Sequence, residues 1–239
     1  MEKILFFFEG IDPVLAAFYA TLFTWGLTAL GASLVFFVKS MNRALLDGLL
    51  GFTGGVMVAA SFWSLLAPGI EMSPGEGFVK VIPAAVGFGL GALFIFGLDK
   101  VLPHIHINFK ESEGIKTPWH KTTLLVLAIT LHNIPEGLCV ACPIYSATGS
   151  VWEATKLATL SGLTEPIGAL MALFVFSGVN DNGLLEVILN YVLVFVGGVM
   201  LSVSIRELIP EAIASGHVES MKKGFVGGAL VMGITMYVL

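Results

Sequence analysis

The chain has 239 residues, 56% of them hydrophobic and only 12% charged, with a formal net charge of −5 and a mean hydropathy of +0.91. Soluble domains carry about 25% charged residues, so a soluble globular fold is excluded. The basic residues are thinly spread, which argues against a nucleic-acid partner, and the two cysteines (Cys139 and Cys142) lie inside one apolar run, which excludes a disulfide framework.

In chain order, the short apolar stretch from Ile4 to Phe8 is surrounded by Glu2, Glu9 and Asp12 and does not read as a signal peptide. Asp12-Pro13 then reads as a cap and first-turn pair. From there about seven stretches approach the roughly 20 apolar residues that a crossing helix needs: 13–38, 45–67, 81–102, 122–145, 153–176, 184–209 and 224–239. A membrane barrel would show short alternating segments instead. The expected fold is an all-α, polytopic transmembrane helical bundle. It forms a single membrane domain over 1–239, with a multi-pass place in the cell membrane and the lipid bilayer as its surroundings. The connections are short except for the polar loop 99–121, which carries Lys100, Lys110, Lys116 and Lys121 with His104, His106 and His120.

Lys39 and Arg43 after the first span, and the 99–121 loop after the third, predict cytoplasmic faces and place the N-terminus outside. Beyond the fourth span, seven single crossings would put the loop bearing Lys222 and Lys223 outside, against its charge. There is also an internal repeat. Gly54-Gly55-Val56-Met57 precedes Pro68 much as Gly197-Gly198-Val199-Met200 precedes Pro210. With opposite predicted directions, the two copies are traces of an inverted three-helix repeat, an architecture of secondary transporters with sites near the midplane.

The fourth span contains Leu131-His-Asn-Ile-Pro-Glu-Gly137. An imidazole, an amide and a carboxylate inside a membrane-length run are costly to bury and point to function, and Pro135 frees a backbone carbonyl that only a polar cavity accommodates. His132 and Glu136 are spaced i, i+4 and share a helix face with Asn133 at its flank; on the fifth span Ser161 and Glu165 have the same spacing, and Pro166 follows. On the second span Met57, Ser64 and Glu71 are spaced by seven, which on a regular α-helix makes a stripe.

This mixed oxygen and nitrogen set suits a borderline divalent ion such as Zn²⁺, Fe²⁺, Mn²⁺ or Co²⁺. Other readings stand beside it. A buried carboxylate serves equally as a structural acid or a proton relay, Met57 as core, and Ser64 as a donor to its own helix. Asp99, His104 and His106 read as an ion exit patch or as solvated groups, and Glu207 as a pathway residue or the partner of Arg206.

At these residues the chain resembles the ZIP (zinc/iron permease-like) metal transporters, in particular their bacterial branch. The resemblance rests on Gly55-Val-Met-x-Ala-Ala-Ser-Phe-Trp-Ser-Leu-Leu-Ala-Pro68, Leu102-Pro-His-Ile-His106, His132-Asn-Ile-Pro-Glu-Gly137, Leu160-Ser-Gly-Leu-Thr-Glu-Pro166 and Glu207-Leu-Ile-Pro-Glu211. It implies a transporter of Zn²⁺ and related divalent ions toward the cytoplasm, often a homodimer. The metal would be cargo rather than a prosthetic group, bound by His132, Asn133 and Glu136, with Glu165 completing the site. Met57, Ser64 and Glu71 would line the route, with Ser161, Glu207, Asp99, His104 and His106 as further pathway candidates. The family has eight spans and two consecutive clusters of this kind; here there is one, as if one helix and its connection, about 30 residues, were absent. The alternative expectation is therefore a shortened derivative that binds metal without transporting it. An enzyme is not expected: an intramembrane metalloprotease would need His-Glu-x-x-His, which the chain lacks.

Overall fold

The structure is a computed structural model and describes residues 13–38, 42–101, 136–138, 140–176, 182–214 and 216–238. Every regular element among them is helical. Helix α1 spans Pro13–Ser33 and tightens into a last turn, Leu34–Phe37. Helix α2 runs Arg43–Met72 and α3 Val81–Val101. Residues 136–138 and 140–148 form α4. Helix α5 is Val151–Ser161 and α6 is Thr164–Phe176. Helix α7 runs from Asn182 through Val203 and on to Ala214, and α8 is Val218–Val238. By length and composition, five helical stretches among the described residues are able to cross a membrane: Leu15–Phe37, Arg43–Met72, Gly77–Gly97, Val151–Val175 and Gly183–Ala214. Helix α8 is as long as α3 and carries Glu219, Lys222 and Lys223 in its first two turns.

Small residues set the pairing. In lipid, helices gain little from apolar burial against one another, so close backbone packing holds them together. A Cβ on Gly55 of α2 would run into the Phe225 carbonyl and the Ala229 amide of α8. A Cβ on Gly198 of α7 would do the same to Phe88 and Ala92 of α3. Gly48 faces Ser220 and Gly55 faces Phe225, so α2 and α8 run parallel; Gly87 faces Tyr191 and Gly91 faces Phe195, so α3 and α7 do too. Helices α2 and α7 cross antiparallel, with Gly69 against Val194 at one end and Arg43 bonded to Glu211 at the other. The pair α2–α8 therefore repeats as α7–α3 in the opposite direction, which is the inverted repeat seen in the sequence.

The repeat extends to helix distortions. Both α2 and α7 widen into a π-helical turn, Ser61–Leu66 and Ser204–Leu208. The amide that closes each turn reaches back five residues, Ala67 to Phe62 and Ile209 to Ser204. Pro68 and Pro210 follow directly. Proline lacks an amide and clashes with the carbonyl four residues earlier, and a widened turn relieves that clash. In both turns a serine bonds the carbonyl of the repeated methionine: Ser61 to Met57 at 2.7 Å and Ser204 to Met200 at 3.0 Å.

One face of the bundle is marked by charge. Arg43 donates through Nη2 to Glu211 Oε1 at 2.8 Å, and its Nε lies 3.2 Å from Asp47 Oδ1. His217 Nδ1 is 3.1 Å from Asp47 Oδ2, and Asp47 is fully buried. Below this cluster, Val35, Leu46, Cys142, Ala158, Ala212 and Met221 pack together, joining α1, α4 and α5 to α2, α7 and α8. Helix α4 therefore runs toward the Arg43 face, the chain turns at Gly149 (φ +69°), and α5 starts back into the bundle, capped by Ser150 on the Glu153 amide. Helix α3 heads for the same face, since the Arg206 guanidinium of α7 lies 5.1 Å over the ring of Phe96. The start of α8, with Lys222 and Lys223, is there as well. The described ends of α3 and α4 and the start of α8 thus share the Arg43 face, in agreement with the charge pattern.

Candidate metal site

The site is built on α1. Thr21, Thr24 and Thr28 are buried at i, i+3, i+7 on one face. Thr24 Oγ1 donates to Glu165 Oε2 at 2.7 Å, and Thr28 Oγ1 donates to Glu165 Oε1 at 3.1 Å. The chain reaches this geometry because Pro166 cannot continue the α5 hydrogen-bond ladder. The Gly162 carbonyl, which a residue 166 amide would normally take, accepts from the Glu165 amide at 3.1 Å, and the helix breaks at Gly162 and Leu163. Glu165 thus starts a new helix, in the first turn of α6, where the helix dipole favours a negative charge. Gly162 permits the approach, since a Cβ there would sit 3.0 Å from Trp25 Cδ1 and 3.1 Å from Thr28 Cγ2. The Trp25 indole fixes the register by donating to the Thr159 carbonyl at 2.8 Å.

The end of the Leu131–Gly137 motif meets the same stretch of α1. A Cβ on Gly137 would overlap the Thr28 carbonyl and the Ala32 amide, so the last residue of that motif lies on the α1 backbone. Glu136, its neighbour, is half-buried, with Oε2 inaccessible to solvent. Thr28 therefore meets both segments, its hydroxyl bonding the Glu165 carboxylate and its backbone packing on Gly137, the residue after Glu136. His132 and Asn133 lie outside the described residues, as do His104, His106 and Cys139.

The remaining candidates are placed apart from this pair. Met57 is buried with Met200, Leu193 and Met232 among α2, α7 and α8. Ser64 is buried and its hydroxyl faces Met236 Sδ of α8 at 3.5 Å. Glu71 is exposed near the end of α2 remote from Arg43. The stripe expected for Met57, Ser64 and Glu71 assumed a regular helix. The π-helical turn lies between the first and the last of them, so a spacing of seven does not keep them in line. Ser161 bonds its own helix at the Ala158 carbonyl, 2.8 Å, and Glu207 is exposed in the second π-turn. Asp99 lies in the last turn of α3. The only signal of the α1 threonines in the sequence is their spacing, i, i+3, i+7, on one helix face.

A sequence-family profile described as ZIP Zinc transporter matches residues 114–236. The zinc transporter ZIP11 of Bos taurus is 31% identical, with 94% of this chain and 97% of that protein covered. The chain belongs to the ZIP zinc transporter family. Among bacterial members, the zinc transporter ZupT of Lysinibacillus sphaericus is 30% identical over 95% of this chain and 98% of its own length. The zinc transporter GufA of Myxococcus xanthus is 30% identical over 92% and 99%. The ZupT alignment extends over 271 positions against a chain of 239, so that ZIP relative has residues within the matched stretch that this chain lacks.

Proposed function

We propose that this multi-pass membrane protein carries divalent metal ions, zinc foremost, toward the cytoplasm through a midplane site made by His132, Asn133, Glu136 and Glu165. The observation that carries the reading is the meeting of the motif helix α4 and the Glu165 helix α6 on one stretch of α1, in a chain whose relatives are zinc transporters. Two carboxylates offset the charge of a divalent ion away from water, and imidazole and amide ligands complete a borderline-metal set. A mixed set of modest ligands permits release, which transport requires.

The route we assign to the ion passes Met57, Ser64 and Glu71 on one side and Ser161, Glu207, Asp99, His104 and His106 toward the other. We assign the chain one membrane domain, a multi-pass location in the cell membrane, homodimeric assembly and no enzymatic activity. Zinc uptake into proteoliposomes tests the function: purified protein is expected to give saturable uptake that Glu165→Gln reduces at least tenfold. Uptake no faster than in protein-free vesicles would refute it.

A further inference from the structure

We infer that Thr24 and Thr28 are positioning residues that hold the Glu165 carboxylate in the orientation in which it receives the metal ion. The inference rests on the reading of Glu165 as a ligand. Three observations carry it. Both hydroxyls point at the same carboxylate, one to each oxygen, at 2.7 and 3.1 Å. Both threonines are almost wholly buried, at 5% and 1% exposure, so these bonds are not exchanged with bulk water. And the carboxylate comes from another helix, across 141 and 137 positions of chain, so the contact is tertiary rather than a local turn.

The chemistry follows from the lone pairs. A carboxylate has about four acceptor sites on its two oxygens. Two hydroxyl donors, one to each oxygen, fix the plane of the group and the direction in which it faces an ion. A carboxylate without such donors samples more rotamers about its last bonds, and ordering it weakens every binding event. Thr24 adds a second property. Its hydroxyl also lies 3.0 Å from the Thr21 carbonyl. If the carboxylate shifts toward an arriving ion, that buried hydroxyl keeps an acceptor. The movement therefore leaves no stranded donor, and the site tolerates loading and release.

Partners that orient a metal ligand typically change affinity by about 10-fold to 100-fold when removed. The test is Zn²⁺ binding to the purified full chain in detergent by isothermal titration, paired with the KM and maximal rate of Zn²⁺ uptake. Thr24→Val and Thr28→Val keep the shape and remove the hydroxyl; Thr24→Ser and Thr28→Ser keep the hydroxyl and remove the methyl. Each valine variant is expected to raise Kd and KM by about tenfold with a smaller effect on maximal rate, and each serine variant to stay within about twofold of the parent. Valine variants that bind as the parent does, while Glu165→Gln loses binding, would overturn the inference and leave the Glu165 assignment standing. Serine variants as weak as the valine variants would also overturn it, since packing would then be the cause. If Glu165→Gln itself binds as the parent does, the failure belongs to the underlying site assignment. If a valine variant unfolds, the serine comparison and the other valine variant still decide.

Discussion

Gly137 and Thr28 touch through their backbones: a side chain on the motif glycine would overlap the Thr28 carbonyl. That contact brings Glu136 onto α1 at the residue whose hydroxyl bonds Glu165. Gly137→Ala is therefore expected to push α4 away from α1. Overpacking of this kind costs about 1–3 kcal/mol. Thermal unfolding in detergent should show a lowered midpoint, and zinc uptake should fall with it. An unchanged midpoint would mean that α4 and α1 separate without cost.

The inverted repeat makes a paired prediction. Gly55 and Gly198 occupy equivalent contacts, α2 on α8 and α7 on α3. Gly55→Ala and Gly198→Ala should destabilise the protein by similar amounts, about 1–3 kcal/mol each. Gly168, which has nothing near the position of a Cβ, should tolerate alanine. Unfolding midpoints of the three variants check this.

Much of this architecture was legible in the sequence. Hydropathy located the helices because lipid demands long apolar runs. The Gly-Gly-Val-Met repeat was visible because close packing restricts residue size in both copies. The motif from Leu131 to Gly137 stood out because polar groups in such a run are costly. What stayed hidden has physical causes. Thr24 and Thr28 are small and only weakly polar, so they do not interrupt an apolar run, and a threonine in a helix ordinarily bonds its own carbonyls. The π-turns before Pro68 and Pro210 shift side-chain directions without changing composition, so the spacing of Met57, Ser64 and Glu71 does not reveal the turn between them. The direction of α4 depends on which helix its glycine meets, which no local pattern encodes.

The charge cluster at the Arg43 face also gives a prediction. Asp47 is fully buried, hydrogen-bonded to His217 and within ion-pair distance of Arg43. Arg43→Ala leaves that carboxylate with His217, and leaves Glu211 without the guanidinium. Breaking a buried pair costs about 3–5 kcal/mol. Because Arg43 is 37% exposed, the low end of that range or below is expected. Chemical or thermal unfolding of Arg43→Ala measures it, and a loss under about 0.5 kcal/mol, the level of an ordinary surface substitution, would contradict a structural role for the cluster.

Sidedness is testable by labelling. Helix α8 starts beside the start of α2, and α4 ends at the same face. In a background with Cys139 and Cys142 replaced, cysteines at Lys222 and Thr148 should react with an impermeant thiol reagent from one side of the membrane. A cysteine at Glu76 should react from the other. Labelling of Lys222 and Glu76 from the same side would contradict the parallel α2–α8 pair.

The central claim is that the carboxylate of the motif helix α4 belongs to the metal site. Initial rates of Zn²⁺ uptake into proteoliposomes, compared between the parent chain and Glu136→Ala at equal protein density, test it most directly. The account predicts saturable uptake by the parent and a loss of at least tenfold in the variant, and equal rates in the two would contradict it.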